Sequence, residues 1–413
     1  MNRNMRGPRH KGRGTMAVSV LAALGLLAAA CGSDSKSATT TAAATTAATT
    51  AATTAASTAA TTAASTAATS AASTADTAAA DGDPVAAAKA ATAKYEQRPT
   101  TIDFTTPVGK EIPTGKKIAF INCGSSACNL EGDIIKQAAD VLGWTLQVLN
   151  TDGSPQQVQN AWEQVGREKP DGVLYTAVPR SQIGKYLTNA AKDGIAVAAC
   201  CLTDEVGDGI DYIIGTAEQA GKLGPVYASW VIADSDGEAN TVFLTLPDFP
   251  ILKTLEDSYK ASLAEQCSTC GYDKIDIPLA DLGKNAPDLI VSFLRSHPDT
   301  KYIVASVDAI VLGLPAALKA AGLDDIKIIG EGPNTTNLQY LASGDQAASI
   351  AFPYYEEMYA MVDALARKFA GVPIEAPFDP PIWLLTKDNV PSTTDLFPLV
   401  LDTKEQFAKL WGK

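Results

Sequence analysis

The chain predicts an α/β protein of two doubly wound parallel-sheet lobes joined by a three-segment hinge. From Lys117 onward, short and nearly all-apolar runs alternate with amphipathic stretches, as expected when helices cover both faces of a parallel sheet. The alternation comes as two successive sets, each sufficient for its own sheet. The roughly 300 residues involved are enough for two separate cores.

The ends of the chain set the context. Arg3, Arg6, Arg9, Lys11 and Arg13 precede an uncharged run, Met16–Ala30. A basic start and a short apolar core describe a secretory signal, too short to persist as a spanning helix. It closes on Leu27-Ala28-Ala29-Ala30-Cys31, which resembles the lipobox of bacterial lipoproteins and implies a lipidated Cys31. The leucine usual three residues before the cysteine sits four before it, with Ala28 in its place. An ordinary signal peptide with an incidental cysteine is the alternative. From Ser33 to about Ala80 the chain is almost wholly Ala, Thr and Ser. No apolar stripe offsets the entropy of ordering it, so it reads as a tether whose threonines are available for O-glycosylation. The expected organisation is 1–30 signal peptide, 31–81 disordered tether and 82–115 lead-in. Residues 116–215 with 353–381 form the N-terminal lobe, and 216–352 with 382–413 the C-terminal lobe.

Composition excludes several functions. The net charge is −13, and no basic cluster outlasts the signal, which argues against nucleic acid and against an electrostatic grip on anionic lipid. His10 leaves with the signal, and His297 sits in a loop leaving a helix. No histidine triad or histidine zinc site can be assembled, and no spacing of acids suggests a catalytic pair. Neither an enzyme nor a metal or other cofactor is expected. Beyond Cys31 there are six cysteines: Cys123, Cys128, Cys200, Cys201, Cys267 and Cys270. An even number in an exported chain suggests disulfides. Cys267-Ser268-Thr269-Cys270 lacks the second ligand pair of a zinc site and the strand-to-helix context of a redox motif, and reads as a loop staple. Cys200 and Cys201 either bond each other, presenting an apolar face at a cleft mouth, or pair separately with Cys123 or Cys128. Sequence leaves that open.

In the first set, strands are expected at Ile118–Asn122, Leu146–Asn150, Gly172–Val178 and Ile195–Cys200. Helices lie between them at Asp133–Leu142, Pro155–Arg167 and about Ser181–Lys192, with apolar residues at helical spacing. Ser154, Pro155 and Gln157 form a capping-box pattern. In the second set, helices Thr216–Ile232, Ile251–Ala264, Ala286–Ser296 and Ala309–Ala321 alternate with strands Asn240–Leu246, Lys274–Pro278, Tyr302–Ser306, Ile326–Gly330 and Ala348–Phe352. Helix Glu356–Ala370, strand Pro381–Leu385 and a closing helix Thr403–Trp411 complete the chain. Hinge crossings are expected near Gly215-Thr216, Phe352-Pro353 and Pro381-Ile382. Ligands of such sheets bind beyond the carboxyl ends of the strands, here between the lobes.

Several strings, in order, carry a resemblance. Pro170-Asp171-Gly172-Val173-Leu174 and Asp193-Gly194-Ile195-Ala196-Val197 match strand openings. Ala305-Ser306-Val307-Asp308 with Leu312-Gly313, Ile328-Ile329-Gly330 and Leu385-Thr386-Lys387-Asp388-Asn389-Val390 follow. From Lys116 to about Pro391 the chain resembles the type I periplasmic binding fold, within it the ribose-like sugar-binding proteins of ATP-driven importers. The resemblance implies a monomer that closes on a small solute and delivers it to ABC permease subunits, held to the membrane only by its lipid. A surface receptor reporting to a membrane signalling protein is the alternative. The family's sugar-gripping positions have changed. Its Asn-Pro-Phe-Phe loop reads Ser125-Ser126-Ala127-Cys128, and its Asp-Arg pair aligns with Cys201-Leu202. Its asparagine before Asp308 is Val307, its aspartate aligns with Gly332, and its late glutamine aligns with Phe352. Two readings stay open. A different polar set grips an ordinary sugar, or the cleft suits a less polar solute walled by Phe249, Phe352 and sulfur from Cys128, Cys200 and Cys201. In the second reading Asn122, Ser125, Asp308 and Glu331 orient the solute.

Overall fold

A computed structural model describes residues 83–413 apart from Asp103; the signal sequence, Cys31 and the tether lie outside the described residues. Both lobes fall within one compact unit, Thr77–Lys413. After helix α1 (Pro84–Tyr95) come β1 (Lys117–Ile121), α2 (Ser126–Leu142), β2 (Thr145–Leu149), α3 (Pro155–Glu168), β3 (Gly172–Thr176), α4 (Arg180–Lys192), β4 (Ala196–Cys200) and β5 (Tyr212–Ile214). The second set runs α5 (Ala217–Gly221), α6 (Gly224–Asp234), β6 (Asn240–Thr245), α7 (Pro250–Gln266), β7 (Gly271–Asp276), α8 (Ala286–Ser296), β8 (Tyr302–Ala305), α9 (Leu314–Ala321), β9 (Lys327–Glu331), α10 (Thr335–Ser343) and β10 (Ala348–Ile350). The chain ends with α11 (Tyr354–Ala370), β11 (Leu384–Leu385) and α12 (Thr403–Leu410).

The strands form two sheets, ordered β2-β1-β3-β4-β5 and β11-β10-β9-β8-β6-β7. All pairings are parallel except β10 with β11. Strand alternation decides which side each residue faces. Ile118 and Phe120 of β1 join the core under α2 and α11, whereas Ala119 and Ile121 join the core under α3 and α4. In β6, Phe243 packs toward α6 and α7, and Val242 and Leu244 toward α8 and α9.

Helix α2 begins at Ser126, ahead of the expected Asp133, and β7 spans Gly271–Asp276 in place of Lys274–Pro278; three further features differ in kind. The helix expected over Thr216–Ile232 is broken into α5 and α6. Pro225 lies in the first turn of α6, and Gly224 packs so closely on α7 that a Cβ there would sit 2.3 Å from the Ser258 hydroxyl. The helix expected over Ala309–Ala321 opens as a 3₁₀ turn, Asp308–Val311, and restarts as α9 after Gly313 at φ +80°. Ser154 caps α3, accepting from the Gln157 amide at 3.4 Å. The Gln157 side chain bonds Asp152 instead of closing the box.

The closing segment corrects the lobe boundaries. Residues 382–413 were assigned from sequence to the C-terminal lobe, yet Val400, Phe407, Leu410 and Trp411 are buried in the N-terminal core with Tyr359 and Met358 of α11. The buried Glu356 carboxyl fixes this docking, accepting from the Val400 amide at 3.0 Å and the Thr403 hydroxyl at 2.8 Å. The lead-in is likewise divided. Ala88 of α1 packs with α6 of the C-terminal lobe, while Ile102, Phe104, Val108 and Ile112 are buried in the N-terminal one.

Candidate functional site

A cavity of about 180 Å³ opens between the two sheets. Its walls come from strand ends: Cys123 and Ser125 follow β1, Thr176 closes β3, Cys201 follows β4, Phe249 follows β6, Glu331 closes β9 and Phe352 follows β10. This is where parallel α/β sheets present their loops.

Of the residues singled out from sequence, Ser125, Cys128, Cys201, Phe249, Glu331 and Phe352 line the cavity, and Cys123 joins them. Asn122, Cys200 and Asp308 do not. Asn122 is 2% exposed and turned into its own loop. Its amide nitrogen donates to Asn129 at 2.6 Å, and its oxygen accepts from the Gly124 amide at 2.7 Å. Asp308 is fully buried, accepting from the Gln346 amide at 2.7 Å and the Ser349 hydroxyl at 2.5 Å. Each is placed at a strand end, as expected, but satisfies its polar groups within one lobe.

The sulfurs bond in three pairs: Cys123 with Cys128, Cys200 with Cys201, and Cys267 with Cys270. Ser125 caps α2 inside the first of these loops, accepting from the Cys128 amide at 3.4 Å. Cys200 and Cys201 pass beside Gly215, where a Cβ would approach their sulfurs to 3.0 and 3.2 Å. Cys200, Cys201 and Glu357 offer ligand atoms within 4.8 Å of one another, but bonded sulfurs present no thiolate to a metal.

The floor holds groups that sequence reading missed. Glu131 of α2 and Glu357 of α11 reach the cavity with Glu331, and all three side chains are buried. Glu131 accepts from the Thr176 hydroxyl at 2.8 Å. Glu357 Oε2 lies 3.0 Å from the Cys200 sulfur; a disulfide carries no proton, so the carboxyl is the donor. Burial pushes Glu131 up to about 7 and, with Asp308 nearby, Glu331 up to about 8. It raises Glu357 well above the usual carboxylate range, helped by Glu131 and Glu331. Desolvation penalises the charged form, and like charges add to it. Sequence reading began a helix at Glu356 and gave neither Glu356 nor Glu357 a role. Only the packing of α12 sends the first to the core and the second to the cleft.

The rest is apolar. Leu246, Ile251, Leu252 and Leu255 form one wall, and the Phe352 ring meets Tyr354 with centroids 4.6 Å apart. The Tyr354 hydroxyl donates to the Gly332 carbonyl at 3.3 Å. At the rim, Lys222 is held by Asp379 at 2.7 Å and Glu218 at 3.4 Å.

Two sheets facing a shared cavity at their strand ends agree with the match of residues 118–372 to a family described as the periplasmic binding protein domain. The chain belongs to that family. A D-apiose import binding protein from Actinobacillus succinogenes is 23% identical over 256 residues, 55% of this chain and 73% of that protein. A sugar ABC transporter protein from Yersinia enterocolitica superposes with a TM-score of 0.63 at 18% identity, covering 73% of this chain and 95% of that one. A 5-methylthioribose transporter binding protein from Thermotoga lettingae, solved with 5-methylthioribose, gives 0.61 at 16% identity, covering 75% and 96%. These periplasmic binding proteins serve transport and are not enzymes. As for other members, a small-molecule ligand and ABC membrane components are expected. No helix among the described residues is long and apolar enough to cross a membrane.

Proposed function

We propose that this chain is the substrate-binding lipoprotein of an ABC-type importer, a monomer anchored outside the cytoplasm through Cys31. It holds one small solute between its lobes by hinge closure. The observation that carries the reading is the interlobe cavity, walled by Phe249, Phe352, Leu246 and Ile251. These walls favour a solute less polar than an ordinary sugar. Buried hydroxyls without partners would each cost on the order of a few kcal/mol, and Asn122 and Asp308 are turned away from the cavity. A partly sugar-like body with an apolar substituent fits these walls, and the relative from Thermotoga lettingae was solved with such a compound, 5-methylthioribose.

A thermal-shift screen tests this, since a ligand of the native state raises the melting temperature by mass action. D-ribose, D-apiose and myo-inositol would be compared with aromatic and thioether-bearing solutes. The expected outcome is a shift of several degrees with a partly apolar compound, reduced at least ten-fold in affinity by Phe352→Ala. Shifts by monosaccharides alone would overturn the apolar reading of the cleft.

A further inference from the structure

We infer that the cleft is built for an organic cation, a small amine or ammonium compound. Its charged end meets Glu131, Glu331 and Glu357, and its apolar body packs on Phe249 and Phe352. This rests on the reading of the cavity as a solute site and names the chemistry of that solute.

The decisive side chain is Glu331. It is 8% exposed and lines the cavity, and among the described residues nothing within hydrogen-bond reach donates to its carboxyl. Its oxygens open onto the cavity, and once a solute displaces the water there an acceptor left without a partner is costly, so this wall calls for a donor from the solute. The balance of donors and acceptors then selects the solute class. The Thr176 hydroxyl is engaged by Glu131, the Tyr354 hydroxyl by Gly332, the Gln219 amide by the Phe378 carbonyl, and Lys222 by Asp379. A sugar hydroxyl both donates and accepts, and beyond the carboxyls themselves only the Asn334 amide nitrogen and the Ser125 hydroxyl are left among the lining side chains to meet its several oxygens, whereas an ammonium group only donates. Lys222 is the one cation among the residues described as lining the cavity, and its partners hold it at the rim. The rings of Phe352 and Tyr354 offer π faces to a cationic head, and the chain's net charge of −13 favours the approach of cations.

The electrostatics give the inference a pH signature. Glu331 faces Asp308 beyond β8, Tyr227 of α6 and Tyr354 of α11. The charges of Glu131 and Glu331, and of Glu356 on the opposite side of α11, add to burial in opposing ionisation of Glu357. With the cavity empty, burial keeps these carboxyls protonated near neutrality. A bound cation favours their ionised forms, so binding releases protons and strengthens as pH rises through about 7 to 8.

The test applies phenethylamine, tyramine, choline and trimethylphenylammonium to the full chain. Neutral counterparts such as 2-phenylethanol, together with D-ribose and myo-inositol, serve as comparisons, at pH 6 and 8.5. At least one cation is expected to raise the melting temperature, at least ten-fold tighter at the higher pH, with its neutral counterpart inactive. Calorimetry in two buffers of different ionisation heat should register proton release. Glu331→Gln, and separately Glu131→Gln, should each weaken binding at least ten-fold. If neutral polyols or neutral aromatics bind and cations do not, the inference fails while the solute-binding reading stands. Cation binding indifferent to pH and to both variants also overturns it. Silence from every class counts against both.

Discussion

Glu331 is a carboxyl whose burial at the cavity wall costs the fold something at neutral pH. Its carboxyl rises from 4.5 to about 8 because burial and Asp308 both oppose ionisation. In the unfolded chain it ionises near its ordinary value, so between those two pH values the folded state holds the extra proton. Stability from this group is therefore intact below about 4.5 and declines as pH rises toward 8. Glu331→Gln should leave the empty protein more stable at pH 8, by on the order of a few kcal/mol, and should lessen the fall of its urea midpoint between pH 5 and 8, the rest of which belongs to Glu131 and Asp308. The position of Glu331 was legible, since it ends a strand beside Gly330. Its neighbour in space was not. Gly330 is bare because a Cβ there would fall 1.9 Å from Asp308 Oδ1. That contact belongs to the inward-turned aspartate that sequence placed in the cleft. Strand register tells which residues stand at the carboxyl edge, whereas hydrogen-bond partners from distant segments, here Gln346 and Ser349, decide which way they turn.

Among the elements, α11 carries the most tertiary information. Its Asp363–Arg367 pair is almost fully buried at 2.6 Å, and Asp363 also accepts from the Trp411 indole at 2.8 Å. Trp411 stacks on Tyr359 with centroids 5.8 Å apart and planes 3° from parallel. Trp411→Ala should lose the packing of a buried indole and leave Asp363 short of a donor, costing about 3–5 kcal/mol; thermal unfolding followed by circular dichroism would measure it. Elements with long apolar periodicity were legible nearly to the residue, as α8 and α4 show. Those missed lack such a pattern. Helix α1 is a run of alanines with one buried face, Ala88 and Thr92. Strand β5 is three residues long. Helix α10 is announced only by its Asn334 cap and Asn337. The break between α5 and α6 was signalled by Gly224-Pro225; the close packing of Gly224 on α7 is what no local signal reports.

At the scale of the molecule, the chain passes between lobes after β5, after β10 and before β11, where hinge crossings were expected. Two further passages lie outside the matched family segment. The lead-in runs from α6 to the N-terminal core, and the closing segment returns to that core. Arg98 ties the two together, donating to the Leu399 carbonyl at 3.0 Å and the Pro398 carbonyl at 2.7 Å with its guanidinium over Trp383. Under the proposed hinge closure, these added links would shorten the arc of the swing. Small-angle scattering with and without a saturating ligand should show a modest decrease in radius of gyration. Arg98→Ala should enlarge that decrease; an unchanged profile on binding would argue against closure.

The seating of α1 against α6 has a mechanical consequence. Under the proposed anchoring, a pull on the polypeptide ahead of Pro84 would enter first where Val85 and Ala88 meet Val226 and Trp230, on the half whose β9 ends in Glu331.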